Sequence, residues 1–155
     1  MRVGIGYDIH PLIRGRLLIL GGVQIDHPEG LDGHSDADVL THAVIDALLG
    51  AAGLGDIGTM FPVDDVRYKN ASSLDMLSSA VDRLREVGVR VVNVDCTVIA
   101  QAPQLMPHLA AMKQNLTERL GTDDVNVKGK SPEGIGSLGV GAGIAAQAVA
   151  TVEEA

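Results

Sequence analysis

Gly4-Ile5-Gly6-Tyr7-Asp8-Ile9-His10 alternates apolar and polar positions and reads as a β-strand, set within residues 2–10. In an extended chain, positions two apart share a face, so the side chains of Asp8 and His10 can reach one ion. Gly4 and Gly6 leave room for another backbone to come close. A second histidine, His42, follows the run His34-Ser35-Asp36-Ala37-Asp38. Two imidazoles and one carboxylate leave a tetrahedral ion one position short, as in a catalytic zinc site. Plainer readings stand beside this one: Asp8 as a turn carboxylate, His10 as a half-buried strand residue before Pro11, and His42 as a satisfied helix histidine. Asp46 lies one helical turn after His42, where it can orient an imidazole from behind.

Working outward, Leu17 to Leu20 and Val23 to Ile25 flank Gly21-Gly22 and signal a hairpin. From Asp36 to about Ala52, apolar residues recur at helical spacing, with Asp36 or Asp38 able to cap the first turn. Gly53 ends that helix and begins a loop through Pro62 to about Asn70. A second helix runs from about Ser73 to Val87 and stops at Gly88. Residues 89–100 alternate and are β-branched, hence a strand. Ala102-Pro103 opens a turn into a helix ending near Leu120, and Val125 to Lys128 is another short strand. After the glycines of 129–143, the small apolar residues up to Thr151 read as a helix. The expected fold is one α+β domain with a small mixed sheet, helices on one face, and a ferredoxin-like arrangement. The nearly uncharged, Gly/Ala-rich segment 134–150 suits either a buried C-terminal helix or packing against another copy of the chain.

Composition narrows the function. The 155 residues are 46% hydrophobic, which supports one globular domain with a core. Aromatics are 2% and net charge is −8, which argues against stacking on single strands and against duplex phosphate. The single cysteine, Cys96, excludes an internal disulfide and suits a reducing compartment. No apolar stretch reaches about 18 residues, and no basic leader precedes an apolar run. The expectation is a cytoplasmic protein that binds neither nucleic acid nor membrane. An anionic ligand then needs local help from a metal, helix N-termini or backbone amides.

Four further segments can supply such help. His34-Ser35-Asp36-Ala37-Asp38 offers amides and a hydroxyl to a phosphate, or ordinary helix capping. Asp56 and Gly58, in Gly55-Asp56-Ile57-Gly58, can meet a polyol or form an Asx-turn. Lys128-Gly129-Lys130-Ser131-Pro132-Glu133 suits a diphosphate with Mg²⁺ on Glu133, or a solvated charged turn. Residues 100–108, with Pro103 and Pro107, form either a rigid loop that reads a base edge or a helix entry.

Taken in order, these segments resemble the 2-C-methyl-D-erythritol 2,4-cyclodiphosphate synthase family along nearly the whole chain. Gly-Tyr-Asp-Ile-His resembles the family's G-x-D-x-H, and residues 34–38 its H-S-D-G-D with Ala37 for glycine. Asp56-Ile57-Gly58 with Phe61-Pro62 resembles D-I-G-x-x-F-P, and Ala100-Gln101-Ala102-Pro103 resembles A-Q-A-P. Asn126-Val127-Lys128, Ser131 and Glu133 resemble N-V-K and T-x-E. The resemblance implies attack of a substrate 2-phosphate on the β-phosphorus of a cytidine diphosphate ester, releasing CMP. It assigns Zn²⁺ to Asp8, His10 and His42, and Mg²⁺ or Mn²⁺ to Glu133. It places His34 and Ser35 at the β-phosphate, and Asp56 and Gly58 at the erythritol. Ala100, Gln101, Ala102, Pro103, Gln104, Leu105 and Met106 fall to the cytosine. It further implies a homotrimer with active sites between subunits. Because no side chain needs activating as a nucleophile, the absence of a Ser/His/Asp or Cys/His set agrees with this chemistry.

Departures from the pattern matter. Val63 stands for an acidic residue, leaving Asp64 or Asp65 to take over a polyol contact. Gln104 replaces a lysine, and Lys130-Ser131-Pro132 a threonine-rich run. Val140-Gly141-Ala142-Gly143 replaces R-G-E-G, so prenyl phosphates should bind weakly in the trimer's central cavity. A zinc-dependent nucleotide-diphosphate hydrolase and a non-enzymatic metal- or nucleotide-binding trimer are the rival readings.

Overall fold

A long strand, β1 (Arg2–Arg14), carries the opening motif and lies next to the C-terminal strand of a five-stranded sheet. The computed structural model describes Met1–Ala155. A hairpin of β2 (Leu18–Leu20) and β3 (Val23–Ile25) turns at Gly21-Gly22, both with positive φ as such a turn requires. A short β4 (Glu29–Leu31) pairs with the end of β1. Helix α1 (Val39–Ala52) follows, then a one-turn α2 (Ile57–Met60), a 3₁₀ turn at Val66–Tyr68, and α3 (Ser73–Glu86). The chain continues through β5 (Val89–Ile99), α4 (Leu109–Leu120) and β6 (Val125–Lys130). It finishes with the short α5 (Gly136–Gly139) and β7 (Gly143–Glu154). The strand order is β4-β1-β7-β5-β6, with β5 and β6 parallel and the remaining pairs antiparallel. No helix is long and apolar enough to cross a membrane.

The expected α+β class with a mixed sheet holds, but two expectations are corrected. Residues 143–154 form a strand, not a helix, and it occupies the middle of the sheet between β1 and β5. Alanine favours helices, yet Ala146, Ala148, Ala150 and Val152 are buried while Gln147 and Val149 are exposed, which is period-two alternation. The arrangement is also not ferredoxin-like. The long elements run β-α-α-β-α-β-β, and the parallel β5–β6 pair is joined through α4.

Small residues in the centre of the sheet let the helices settle close. A Cβ on Gly4 would strike the backbone carbonyl of Ala47, and one on Gly6 that of Ala43, both in α1. The strand thus touches the helix backbone to backbone, fixing the height of α1 above Asp8 and His10. The opposite face of the strand carries Val3, Ile5, Tyr7 and Ile9, all substantially exposed.

This packing sets a contrast between two glycines. Gly6→Ala should destabilise the fold by about 3 kcal/mol, because the colliding atom is backbone and cannot turn aside. Gly50→Ala, inside α1 with open space around it, should stabilise by about 0.5–1 kcal/mol. Urea unfolding midpoints at constant slope measure both; a tolerated Gly6→Ala would contradict the close approach.

Candidate metal centre and active-site pocket

Asp38 anchors the site from behind. Fully buried at the N-cap of α1, its carboxylate accepts from the Thr41 amide at 3.0 Å and the Thr41 hydroxyl at 2.8 Å. It also accepts from the amides of Gly21 and Gly22 at 2.9 and 2.8 Å, and from the Ser73 hydroxyl at 2.7 Å. The hairpin and the starts of α1 and α3 therefore meet at one side chain. Of the two capping candidates, Asp38 caps α1, while Asp36 bonds the amide of Ser73 at 2.8 Å. Burial, and after it the neighbouring Asp38 charge, raises the Asp36 carboxyl above its ordinary value against the pull of the Ser73 amide.

From this anchor α1 points His42 at β1. The Nδ1 of His42 lies 3.1 Å from Asp8 Oδ2, and His10 Nε2 lies 3.0 Å from the same oxygen. The three ligand atoms all fall within 4.8 Å of one another. The other Asp8 oxygen accepts from the Ile9 amide at 2.9 Å, which fixes the carboxylate's orientation. Burial works to raise the Asp8 carboxyl, but the hydrogen bonds and charges of His10 and His42 prevail and hold it at about 2. It is thus ionised at neutral pH and ready to ligate. For His42, burial opposes protonation, yet hydrogen bonding to Asp8 and the charges of Asp38, Asp8 and Asp36 push its basicity above the ordinary value. An ionised carboxylate flanked by two imidazoles, one of them held more basic than usual, suits a divalent ion that can displace the proton.

The far nitrogen of His42, Nε2, lies 3.1 Å from the hydroxyl of buried Ser35. Ser35, and not Asp46, thus stands at the second ring nitrogen, where its hydroxyl can accept an Nε2–H once Nδ1 serves as a ligand. Asp46 does not orient the imidazole, because both ring nitrogens are engaged elsewhere. Its carboxylate accepts instead from the amide of Ile57, an unpaired donor at the start of α2, at 2.7 Å.

A pocket of about 180 Å³ opens over this triad, bounded by His34, Ser35 and Gly58 and walled by Ile57, Phe61, Val63, Tyr68 and Met76. Phe61 and Tyr68 meet edge to face, their centroids 5.1 Å apart. Residue-type reasoning missed this apolar wall; helical spacing at Met76 and the Ile57–Phe61 pair were the available signals. Asp56 faces solvent and caps α2, one oxygen accepting from both the amide and the hydroxyl of Thr59 at 2.8 Å. The Asp65 carboxylate is taken up by Arg67 at 2.6 Å and caps the Val66–Tyr68 turn, while its carbonyl lies 3.4 Å from His34 Nε2.

The remaining expected residues collect in a second pocket. Ala100, Gln101, Pro103, Gln104, Leu105 and Met106 line it together with Lys130 and Ser131. Gln101 Oε1 accepts from the Gly134 amide at 2.9 Å, and the Ala100 amide donates to the Lys130 carbonyl at 3.0 Å, so the two loops form one wall. Glu133 is exposed at positive φ, with its amide bonded to the Ser131 hydroxyl at 2.9 Å. Ala102 is exposed beside Pro103. Both pockets lie at the end of the sheet where β1 and β5 finish and β7 begins, yet they share no lining residue.

Comparison with known proteins places the chain. The YgbB family profile matches residues 1–153. The chain belongs to the YgbB family. A 2-C-methyl-D-erythritol 2,4-cyclodiphosphate synthase from Dechloromonas aromatica (strain RCB) is 59% identical, over 98% of this chain and 96% of that protein. Another, from Desulfosudis oleivorans, is 55% identical over 99% of this chain and 93% of that protein. Among solved structures, a 2-C-methyl-D-erythritol 2,4-cyclodiphosphate synthase in its CDP-bound form superposes with a TM-score of 0.89 at 34% identity, covering 98% of this chain and 100% of that one.

Protonation and metal binding at the triad make opposite demands on pH. The stability His42 gives the metal-free fold is fully present below its ordinary value of 6.5 and is lost as pH rises through its raised folded value. A metal needs the ring unprotonated, so affinity falls as pH drops through that same folded value. Between about pH 8 and about pH 6, the zinc-induced rise in melting temperature should shrink. Scanning calorimetry with and without Zn²⁺ across that range checks this; a shift independent of pH would contradict it.

Proposed function

We propose that the chain is a 2-C-methyl-D-erythritol 2,4-cyclodiphosphate synthase acting on 4-diphosphocytidyl-2-C-methyl-D-erythritol 2-phosphate. The observation that carries this reading is the convergence of Asp8, His10 and His42 beneath a pocket, in a chain 59% identical to a protein of that name. An oxygen of the 2-phosphate attacks the β-phosphorus, the bond from that phosphorus to the α-phosphate's bridging oxygen breaks, and CMP departs with both bonding electrons. An eight-membered cyclic diphosphate remains. Because nucleophile and leaving group belong to one molecule, the protein's work is to fold the substrate so that attack is in line.

Zn²⁺ on the triad supplies Lewis-acid stabilisation of charge on the phosphoryl oxygens. Asp8, His10 and His42 would hold it, with Ser35 fixing the His42 tautomer and His34 meeting the β-phosphate from the pocket rim. The apolar wall of Ile57, Phe61 and Met76 faces the methylerythritol carbon skeleton, with Gly58 and the Asp56 loop at its hydroxyls. In the second pocket the loop 100–106 reads the cytosine edge and Lys130 and Ser131 contact the diphosphate; the exposed carboxylate of Glu133, on the adjoining loop, would hold a Mg²⁺ or Mn²⁺ that offsets phosphate charge.

A trimer makes one site from two pockets. The apolar strip of Val3, Ile5, Tyr7 and Ile9 on the open sheet face supports burial against further copies of the chain. Each copy then offers its nucleotide loop to a neighbour's metal pocket. In the enclosed centre of such a trimer Val140 offers no positive charge, so prenyl phosphates bind weakly.

Phosphorus NMR of the purified protein with the substrate, Zn²⁺ and Mg²⁺ tests the activity. CMP and a cyclic diphosphate should appear together, and Asp8→Ala should lower the rate at least 10³-fold, an order of magnitude set by losing the charge-stabilising ion. CMP with a linear bisphosphate would mean hydrolysis, and no turnover by a folded, metal-loaded protein would leave only a binding role.

A further inference from the structure

We propose that Arg16 is a positioning residue for the metal centre, clamping the segment Gly33–Ser35 that braces both histidines of the triad. Arg16 belongs to none of the motifs above. It sits partly buried in the turn between β1 and β2, and its guanidinium pairs with no carboxylate. Instead Nη1 donates to the Gly33 carbonyl at 3.0 Å and Nη2 to the Ser35 carbonyl at 2.8 Å. The planar fork of the guanidinium thus spans His34 and holds the carbonyls on either side of it.

Both ends of the clamped segment touch a metal-ligating ring. The Ser35 hydroxyl lies 3.1 Å from His42 Nε2. A Cβ placed on Gly33 would lie 3.2 Å from His10 Cε1 and 3.3 Å from His10 Nδ1, so the Gly33 backbone rests against that ring. The turn carrying Arg16 is itself seated on β4, where a Cβ on Gly30 would collide with the carbonyls of Arg16 and Leu17. Backbone bonds from the Asn70 amide to the His34 carbonyl and from the Asp36 amide to the Ala71 carbonyl secure the segment from the other side. Those two bonds keep it in place when Arg16 is lost, but nothing else grips the Gly33 and Ser35 carbonyls from the turn side. Removing the fork therefore loosens the orientation of the two imidazoles without removing a ligand.

The inference rests on the triad being a metal site, so the test reads metal affinity directly. Zn²⁺ affinity is measured by chelator competition on the full chain, with Asp8→Ala defining binding outside the triad. Arg16→Met should weaken site-specific Zn²⁺ binding about tenfold, the range found for outer-sphere partners, with native circular dichroism. Arg16→Lys, whose ammonium can reach one carbonyl, should recover part of the loss. Gly33→Ala, which presses on His10 while Arg16 stays intact, should weaken binding independently. Unchanged affinity in Arg16→Met, or in Arg16→Lys if the Met variant does not fold, overturns the role of Arg16 while leaving the triad standing. A parent chain that binds no Zn²⁺ above the Asp8→Ala level overturns both.

Discussion

One carboxylate with no exposed surface, Asp38, joins the parts that must meet before any site can exist. Its five hydrogen bonds tie the β2–β3 hairpin, the first turn of α1 and the first residue of α3 to one point. A buried carboxylate is tolerated only when its lone pairs are filled, and here every partner is backbone amide or hydroxyl. The charge is satisfied without a cation, which leaves the local negative potential free to favour His42 protonation or its replacement by a metal. Losing any one donor would leave the remainder of the carboxylate buried and underpaired, so the junction is cooperative in construction.

A second constraint is thickness. The sheet under α1 is built of Gly4, Gly6, Ala146, Ala148 and Ala150, so helix and strands approach more closely than larger side chains would permit. This brings His42 to within hydrogen-bonding distance of Asp8. The same alternation puts Asp8 and His10 on the helix side and Val3, Ile5, Tyr7 and Ile9 on the other. A single strand therefore provides two triad residues on one face and an exposed apolar strip on the other; on the proposed reading that strip joins copies of the chain, which would tie assembly to chemistry.

The metal cluster was legible because its geometry follows from local periods. Two positions apart on a strand, with a histidine one turn into a helix, need no knowledge of tertiary packing beyond their meeting. The C-terminal strand was hidden for the opposite reason. Its alanines satisfy helix propensity, and only the demand for small side chains beneath α1 explains them as strand residues. Asp46 was misjudged because spacing on a helix indicates proximity but not which donor competes for the carboxylate; the α2 amide of Ile57 was the stronger claimant. Ser35 and Arg16 act across loops, through hydrogen bonds that no periodicity encodes. The homologous pattern along the chain identified the family where the single motifs left several readings open.

Zinc-edge anomalous diffraction from crystals grown with Zn²⁺ and CDP would test the centre most directly. The account requires one ion held by Asp8, His10 and the Nδ1 of His42, with His42 Nε2 still bonded to Ser35 and a phosphate oxygen in the remaining position. An ion bound elsewhere, or a His42 ring turned to ligate through Nε2, would contradict it.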